Sequence, residues 1–481
     1  MQTGRWKLRF VLVACALMAA AVLYEARIGA PPALLASETS PGVIDPSAVV
    51  SVVRSAQEDA ADIEYDEVKA LVREAAELAG GFGRVIADGD TVVLKPNLVS
   101  PYDQTYTPQD LPQEVNGITT DWRVVQAAAD LVREVNPSGR VIVLEGVANE
   151  TTRTSMAQLG YTPDRMVGVD DFVHLEDRSG GWREWDSPLL VSVTLPEGVG
   201  LYPDQMKVNQ SPEFYLNRIY YEADVVISVP VLKNHSMTGI TGAVKNVGIG
   251  ATPTNIYGAS PGDNHRSTND TIVHTRRLNL HQWIHDYYAC RPVDFAIMDG
   301  LQGTWDGPTG SGSLNLADAQ RNMRLILASR DSVALDAIAS LIMDYDPALI
   351  THLVQLHNDG FGCVEPSRIR VEGVEPSSVR TRFRNRRGGT AFYYDHRSPE
   401  VSIGSCVVEG GTLLLALAAD GDAAKAEIYV DGEHLDGIVV EGFDDVRLSL
   451  PEVAPGHHTV TVRVYDRYLN VTVLDFEIEA P

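Results

Sequence analysis

Cysteine is nearly absent: the 481 residues contain four, Cys15, Cys290, Cys363 and Cys406. No two have zinc or iron–sulfur spacing. With Cys15 set aside in an apolar N-terminal segment, an odd number remains, so neither a disulfide framework nor cysteine redox chemistry is expected. Positive charge is the second scarcity. Against 65 Asp+Glu stand 39 Lys+Arg, a formal net charge of −26, and so acidic a surface repels phosphate backbones; no nucleic-acid partner is expected. No Gly-Lys-Ser/Thr occurs, which argues against a Walker P-loop and a nucleoside triphosphatase. The apolar run Phe10 to Tyr24 is shorter than the roughly 20 residues of a comfortable membrane span.

What is present is a globular composition, 44% hydrophobic with 40 Gly and 26 Pro. This excludes a disordered tail protein, a coiled coil and a collagen-like repeat, and the length suits two or three domains. Residues 1–36 read as a signal peptide or membrane anchor, because Arg5, Lys7 and Arg9 precede the apolar run and no charge follows until Glu25. Ile28 and Leu34 occupy positions where cleavage near Ala30 or Ala36 would need a small residue, which favours an uncleaved anchor. The body is therefore expected outside the cytoplasm, membrane-anchored or secreted, touching the membrane through this segment only.

Residues 45–375 alternate strand and helix patterns. The strands AVVSVV, TVVLKPNL, RVIVLEG, ADVVISVPVLK, DFAIMD and RLILAS are mostly continuous apolar runs, as expected where both sheet faces are covered. Between them lie helix patterns at Tyr65 to Leu78, Asp121 to Val135, Ile272 to Tyr288 and Val333 to Met343. The expected fold is α/β, a largely parallel sheet flanked by helices, with ligands beyond the carboxyl ends of the strands. Residues 376–397 form an Arg-rich linker or bridging strand, with Arg380, Arg382, Arg384 and Arg386 at every second position. On a strand these share one face, paired with acidic neighbours or turned to an anionic polymer. Residues 398–481 alternate apolar and polar between short turns and read as an immunoglobulin-like β-sandwich.

Unusual residues stand at the strand ends. Lys95 and Asn97 follow TVVL, Lys233 and His235 follow VVISVPVL, Asp299 follows DFAIM, and Ser329 and Asp331 follow LILA. A lysine fixed in a partly dry crevice suits an anion. The segment KNHSMTGITGAVKNVGIG adds Lys245 and Asn246 among glycines whose backbone N–H groups could approach the same anion. Asp121 and Arg123, after Thr119 and Thr120, stand at a helix start and could face the same crevice. His274, His281 and His285 share a helical face, but among Trp283, Tyr287 and Tyr288 they read as structural. Asp331 reads as a helix N-cap, and Asp336 as either site-lining or solvated.

Taken in order, VVLKPNL, DVVISVPVLKNHSMTGITGAVKN, AIMDGLQGTWDGPTGSG and LILASRDSVALDAIAS resemble the domain of unknown function 362 family over about Val50 to Met343. Asn234 stands where that family usually has Thr. The ferredoxin segment of some members is missing, so no iron–sulfur cluster is expected. Fainter is a kinship with the lactate racemase family, in which a histidine and a lysine ten residues on hold a nickel-pincer nucleotide. His235 and Lys245 are similarly spaced, and the spacing alone does not carry the cofactor across.

The expected function is that of an extracytoplasmic protein that binds, and in its active form transforms, a small anionic ligand. Lys95, Asn97, Arg123, Lys233 and Asn246 would bind it, and His235, Lys245 and Asp299 would act on it. His235 and His265 are the candidate ligands of a divalent metal. A metal- or cofactor-dependent isomerase or transferase is the matching enzyme class. The alternative is a non-catalytic envelope protein that binds a cell-envelope polymer through the sandwich and the Arg-rich strand.

Overall fold

The computed structural model describes residues 42–43, 48–99, 115–147, 152–175, 189–199, 213–253, 277–310, 313, 315–385, 393–420, 422–439, 446–450 and 453–481. The apolar N-terminal segment, His265, His274 and Arg386 lie outside these residues. No helix among the described residues is long and apolar enough to cross a membrane.

Ten strands form the central sheet: β1 (Val49–Arg54), β2 (Thr91–Pro96), β3 (Arg140–Glu145), β4 (Asp171–His174), β5 (Val225–Val229), β6 (Val231–His235), β7 (Gly239–Ile240), β8 (Phe295–Thr304), β9 (Gln320–Ser329) and β10 (Arg370–Gly373). Their order is β10-β1-β9-β8-β5-β2-β3-β4, with β6 pairing with β8 beyond β5 and β7 pairing with β6. All run one way except β9 and the short β7. The sheet is thus largely parallel, as the continuous apolar strands imply.

Successive side chains on a strand point to opposite faces, and the core divides accordingly. Val93, Val226, Ala296 and Met298 pack on one face with Trp283, Tyr287 and Ile338. Their sequence neighbours Val92, Leu94, Val225, Ile227, Phe295 and Ile297 pack on the other with Val68, Leu71 and Val124. The helices are α1 (Tyr65–Leu78), α2 (Trp122–Val135), α3 (Gly242–Gly250), α4 (Arg277–Cys290), α5 (Ser332–Ile342) and α6 (Thr351–Asn358).

Because β9 is antiparallel, its carboxyl end lies at the edge opposite that of β2, β3 and β5. Ser329 and Asp331 therefore do not join the other strand-end residues, a correction to the sequence reading. Asp331 is the N-cap of α5, accepting from the N–H groups of Val333 and Ala334, as its position before the helix suggests.

Beyond the sheet the chain forms a β-sandwich of two antiparallel sheets. One has the order Gly42–Val43, Glu433–Val439, Ala423–Val430, Gly456–Asp466, Val471–Ala480, and the other has Val401–Glu409, Thr412–Ala419, Val446–Leu450. Leu413, Leu415, Leu417, Ile428, Val460, Val462 and Val464 fill its interior, which is the alternation visible in the sequence. Gly42–Val43 pairs with Ile438 and Val439, so a strand from before the α/β body completes the C-terminal module.

The sandwich is docked on the body through polar groups. Lys425 Nζ donates to the Ile369 carbonyl at 2.9 Å and pairs with Glu427 Oε1 at 2.6 Å, both side chains 1% exposed. Glu375 Oε1 accepts from Arg463 Nη1 at 2.7 Å and from Tyr465 Oη at 2.9 Å. Residues 380–385 belong to no helix and no β-ladder, and their arginines are committed internally. Arg380 donates to Asn470 Oδ1 and lies over Tyr394. Arg382 donates to Asp344 and lies over Tyr393. Arg384 donates to Asp306 and lies over Trp305. Among these, Arg380 reaches the sandwich, and Arg382 and Arg384 pair with acidic residues of the body.

Burial disfavours the Glu427 charge, and Lys425 with two tyrosine hydroxyls outweighs it, holding this carboxyl below its ordinary range. Lys425→Met would strand that charge and is expected to cost about 3 kcal/mol or more, read as a lower midpoint of urea unfolding. Arg397→Ala, which breaks an exposed pair with Asp422, is expected to leave the midpoint unchanged.

Candidate functional site

The carboxyl ends of β2 and β3, strand β6 and helix α3 converge on one polar cluster. Lys95 Nζ, fully buried, donates to Glu145 Oε1 at 2.7 Å, to the Pro96 carbonyl at 2.6 Å and to Asn246 Oδ1 at 3.2 Å. Glu145 also accepts from the N–H groups of Gly146 and Leu98. Asn246, on α3, donates to the Lys95 carbonyl at 2.8 Å and to Ser228 Oγ at 3.1 Å, and its Oδ1 takes a further bond from Asn97. Asn97 turns its Oδ1 to Lys233 Nζ at 2.7 Å. One net of hydrogen bonds thus joins Lys95, Asn97, Lys233 and Asn246, which the sequence placed in one site.

Lys233 is buried in β6 and donates to two neutral oxygens, Asn97 Oδ1 and the Ile118 carbonyl. Burial, then the nearby Lys245, drives its ammonium well below the usual lysine range, with Glu145 opposing and Lys95 adding to the effect. An amine in its neutral form has two N–H donors and a lone pair, and the two acceptors match that count. His235 lies two residues on, on the same face of β6, with Nδ1 accepting from the Met237 N–H at 3.2 Å.

The glycine segment is a helix, not a loop. Asp336 of α5 accepts from the N–H groups of Ala243 and Val244 at 2.6 and 3.0 Å, so these amides are filled by the protein's own carboxylate rather than offered to an anion. A Cβ at Gly242, where φ is +57°, would fall 2.3 Å from Asp336 Oδ2. Asp336 therefore anchors α3, and through it Lys245 and Asn246; it is fully buried rather than solvated.

A second strand of the network runs through residues 116–121. Thr120 exchanges hydrogen bonds with Asn97, and its Oγ1 donates to the Val229 carbonyl. The Asp121 N–H donates to Asp299 Oδ2 at 2.8 Å, and the Leu301 N–H to Asp299 Oδ1 at 3.1 Å. Burial, reinforced by the Asp121 charge, pushes the Asp299 carboxyl up to about 7. Tyr161 donates to the Thr120 carbonyl at 2.8 Å. Arg123 is drawn to its own neighbours, pairing with Asp121 at 2.7 Å and donating to the Ile63 carbonyl at 2.6 Å. It braces the start of α2, a role different from the ligand contact expected of it.

His281 and His285 of α4 lie near His352 of α6. His281 and His352 share a 2.8 Å contact between their Nδ1 atoms, and His285 Nδ1 lies 2.8 Å from Asp286. Burial, then His281 and Lys245, keeps His352 well below the ordinary histidine range. Among the described residues no group of three or more His, Cys, Asp or Glu side chains could hold a metal ion, and His265, the second expected ligand, lies outside them. Sequence reading passed over Glu145, Asn116, Ile118 and Tyr161. Glu145 was open to discovery as the one charge ending the apolar strand RVIVLE, whereas a carbonyl such as that of Ile118 has no sequence signature.

Fold and site together define an α/β protein with a buried lysine–amide cluster at the carboxyl edge of a largely parallel sheet. The model of the family described as "Domain of unknown function (DUF362)" matches residues 92–340, and the chain belongs to that family. A thylakoid-associated protein of Synechocystis sp. is 26% identical over 307 residues, covering 63% of this chain and 76% of the relative. Among solved structures, a spore cortex lytic enzyme of Clostridium perfringens aligns at 7% identity over 87% of this chain and 77% of its own, with a TM-score of 0.18. Fibronectin(III)-like modules of Clostridium thermocellum align at 22% identity over 17% of this chain and 46% of theirs, with a TM-score of 0.15. Neither likeness is close enough to inform the fold or the chemistry.

Two outcomes follow from this geometry. Gly242→Ala, forced into a left-handed conformation against Asp336, is expected to cost at least about 2 kcal/mol, measured by chemical unfolding. Asp299 binds its proton more tightly folded than unfolded. Its contribution to stability is complete below the ordinary value of 3.8 and is lost as pH rises through about 7. The melting temperature of the wild type minus that of Asp299→Asn is therefore expected to fall across this interval in a pH series of thermal melts.

Proposed function

We propose that the chain binds a small anionic compound, such as a hydroxy acid, a sugar acid or a phosphorylated group, at the lysine–amide cluster and transforms it by proton transfer. The observation that carries this reading is Lys233, a fully buried lysine held by neutral oxygens with two further lysines nearby. A charge cannot be kept in such a place without a counter-ion, so the ammonium either yields its proton or takes an anion. The chain has seven lysines, Lys7, Lys69, Lys95, Lys207, Lys233, Lys245 and Lys425. Three of the seven meet here, in a protein of net charge −26. Chance scatter over an acidic surface does not explain that gathering.

In this reading Lys245 attracts the anion and Lys233, in its neutral form, takes a proton from it. Asp299, with a pKa near neutrality, is suited to return one. Lys95 is spent on Glu145 and serves to hold Asn246 in place. His235 is a further base on the same strand face. No step is routed through a metal, because the described donors do not assemble around His235. The name of the Synechocystis relative and the positively flanked apolar N-terminal segment support a place on a membrane, with the body on the extracytoplasmic side. The alternative, attachment to an envelope polymer through the Arg-rich segment, draws no support from Arg380, Arg382 and Arg384, whose guanidinium groups already serve internal partners.

With seven lysines, selective labelling of lysine side chains with carbon-13 gives a spectrum that can be assigned by substitution. The signal absent from Lys233→Met is expected to titrate well below 10.5. It and the Lys245 signal should shift on addition of phosphate or lactate, less so at high salt. A Lys233 signal that titrates in the ordinary range and ignores both anions would sink the reading.

A further inference from the structure

The opposite edge of the central sheet carries a second opening. Where the amino ends of β1 and β8 meet the carboxyl end of β9 and the turn after α6, there is a cleft of about 690 Å³. Asp294, on its wall, precedes Asp299 by five residues along extended chain. The cleft therefore lies roughly 16 Å along that strand from the Asp299 end of the lysine–amide site. Its volume is in the range of small-molecule sites, about 300–1,000 Å³.

The charges on its wall are unequally committed. Both carboxylates are bound inward. Asp331 accepts from the N–H groups of Val333, Ala334 and Cys363. Asp294 accepts from the Val226 N–H and from Arg291. Of the cationic groups, Arg330 alone differs among the described residues, Arg368 and His357 being paired with Glu365. Arg330 is exposed and has no hydrogen-bond or ion-pair partner among the described residues. Arg368 stands 3.7 Å from Glu365. Hydrogen bonding to Glu365 keeps the His357 pKa above its ordinary value despite partial burial. The two carboxylates that line the cleft are thus occupied by other partners, while Arg330 lines it exposed.

The remaining wall is apolar and fixed. Val85, Val293 and Phe361 contribute side chains. The turn that carries Phe361 is clamped at Gly362, where a Cβ would fall 2.2 Å from Asp331 Oδ1. The cleft is thus held in shape by the same Asp331 that caps α5.

We propose that this cleft is a second ligand site, for an organic monophosphate whose body is flat and apolar. Arg330 holds the phosphate, for which a guanidinium fork is the matching donor, Arg368 adds positive charge while keeping its pair with Glu365, and Phe361 with Val85 and Val293 covers the body. The site is separate in position and chemistry from the lysine–amide cluster, and it stands whether or not that cluster is catalytic.

Titration calorimetry of the full chain with phenyl phosphate and with inorganic phosphate tests this. Phenyl phosphate is expected to bind more tightly than inorganic phosphate. Arg330→Gln should weaken phenyl phosphate by about tenfold, the loss of one charge-assisted contact, with an unchanged melting temperature because the side chain is exposed. Phe361→Ala should weaken phenyl phosphate and leave inorganic phosphate as it was. Lys245→Met should alter neither affinity at this site. The proposal is overturned if the wild type takes up no phenyl phosphate, if Arg330→Gln binds like the wild type, or if Lys245→Met abolishes the binding, which would assign it to the other edge.

Discussion

The buried ion pair between Lys95 and Glu145 holds together the end of the sheet where the chemistry would occur. It ties the last residues of two neighbouring parallel strands, and the groups that satisfy its remaining donors and acceptors are those of the site. Asn246 reaches it from α3, Leu98 from the chain leaving β2, and Asn97 follows within two residues. Two charges withdrawn from water are costly, and only excellent geometry with further hydrogen bonds repays that cost. The pair is therefore weak evidence of stability for its own sake and better evidence of a need for position. Lys233 inherits the electrostatic consequence. With the local carboxylate already used by Lys95, it is left with neutral oxygens and holds its proton less tightly than an ordinary lysine.

The same economy appears at α3. A helix start ordinarily offers free N–H groups to an anion, yet here Asp336 fills two of them from α5. The protein has thus used its own carboxylate to orient the helix that bears Lys245 and Asn246, and the anion affinity proposed for the site rests on side chains. The order of the family-like segments along the chain then acquires a physical sense. The strand-end Lys-Pro-Asn, the Lys-Asn-His strand, the Thr-Gly-Ala-x-Lys-Asn helix and the Asp-x-Val-Ala-x-Asp helix each contribute one part of a single hydrogen-bonded assembly.

Much of this was legible in the sequence, for reasons that differ by feature. Continuous apolar strands announced a sheet covered on both faces, and Val92, Val93 and Leu94 sort alternately to those faces. Helices α1 and α2 begin and end within a residue of the pattern, because Asp121 and the apolar spacing mark them. Lys95, Asn97 and Lys233 were named together because polar residues at the ends of such strands have few reasons to be there, and Asn246 joined them from the glycine-rich segment. What stayed hidden depends on contacts distant in sequence. The antiparallel direction of β9 is not written in its apolar run, so Ser329 and Asp331 were counted among the strand-end residues although they lie at the opposite edge. The glycines of α3 suggested backbone N–H groups open to an anion, since nothing local reveals that Asp336, about ninety residues on, will take up those of Ala243 and Val244. Arg123 looked available until Ile63 and Asp121 claimed it.

The two residues Gly42 and Val43 sit at one edge of a sheet whose other edge is the final strand of the chain. Synthesis runs from the first residue to the last, so the partner of this early strand, Glu433–Val439, emerges some four hundred residues after it. The α/β body can gather its core in the interval, but this edge of the sheet closes only once residues 433–439 have been made. A chain cut short within the body leaves Gly42–Val43 without the strand it pairs with.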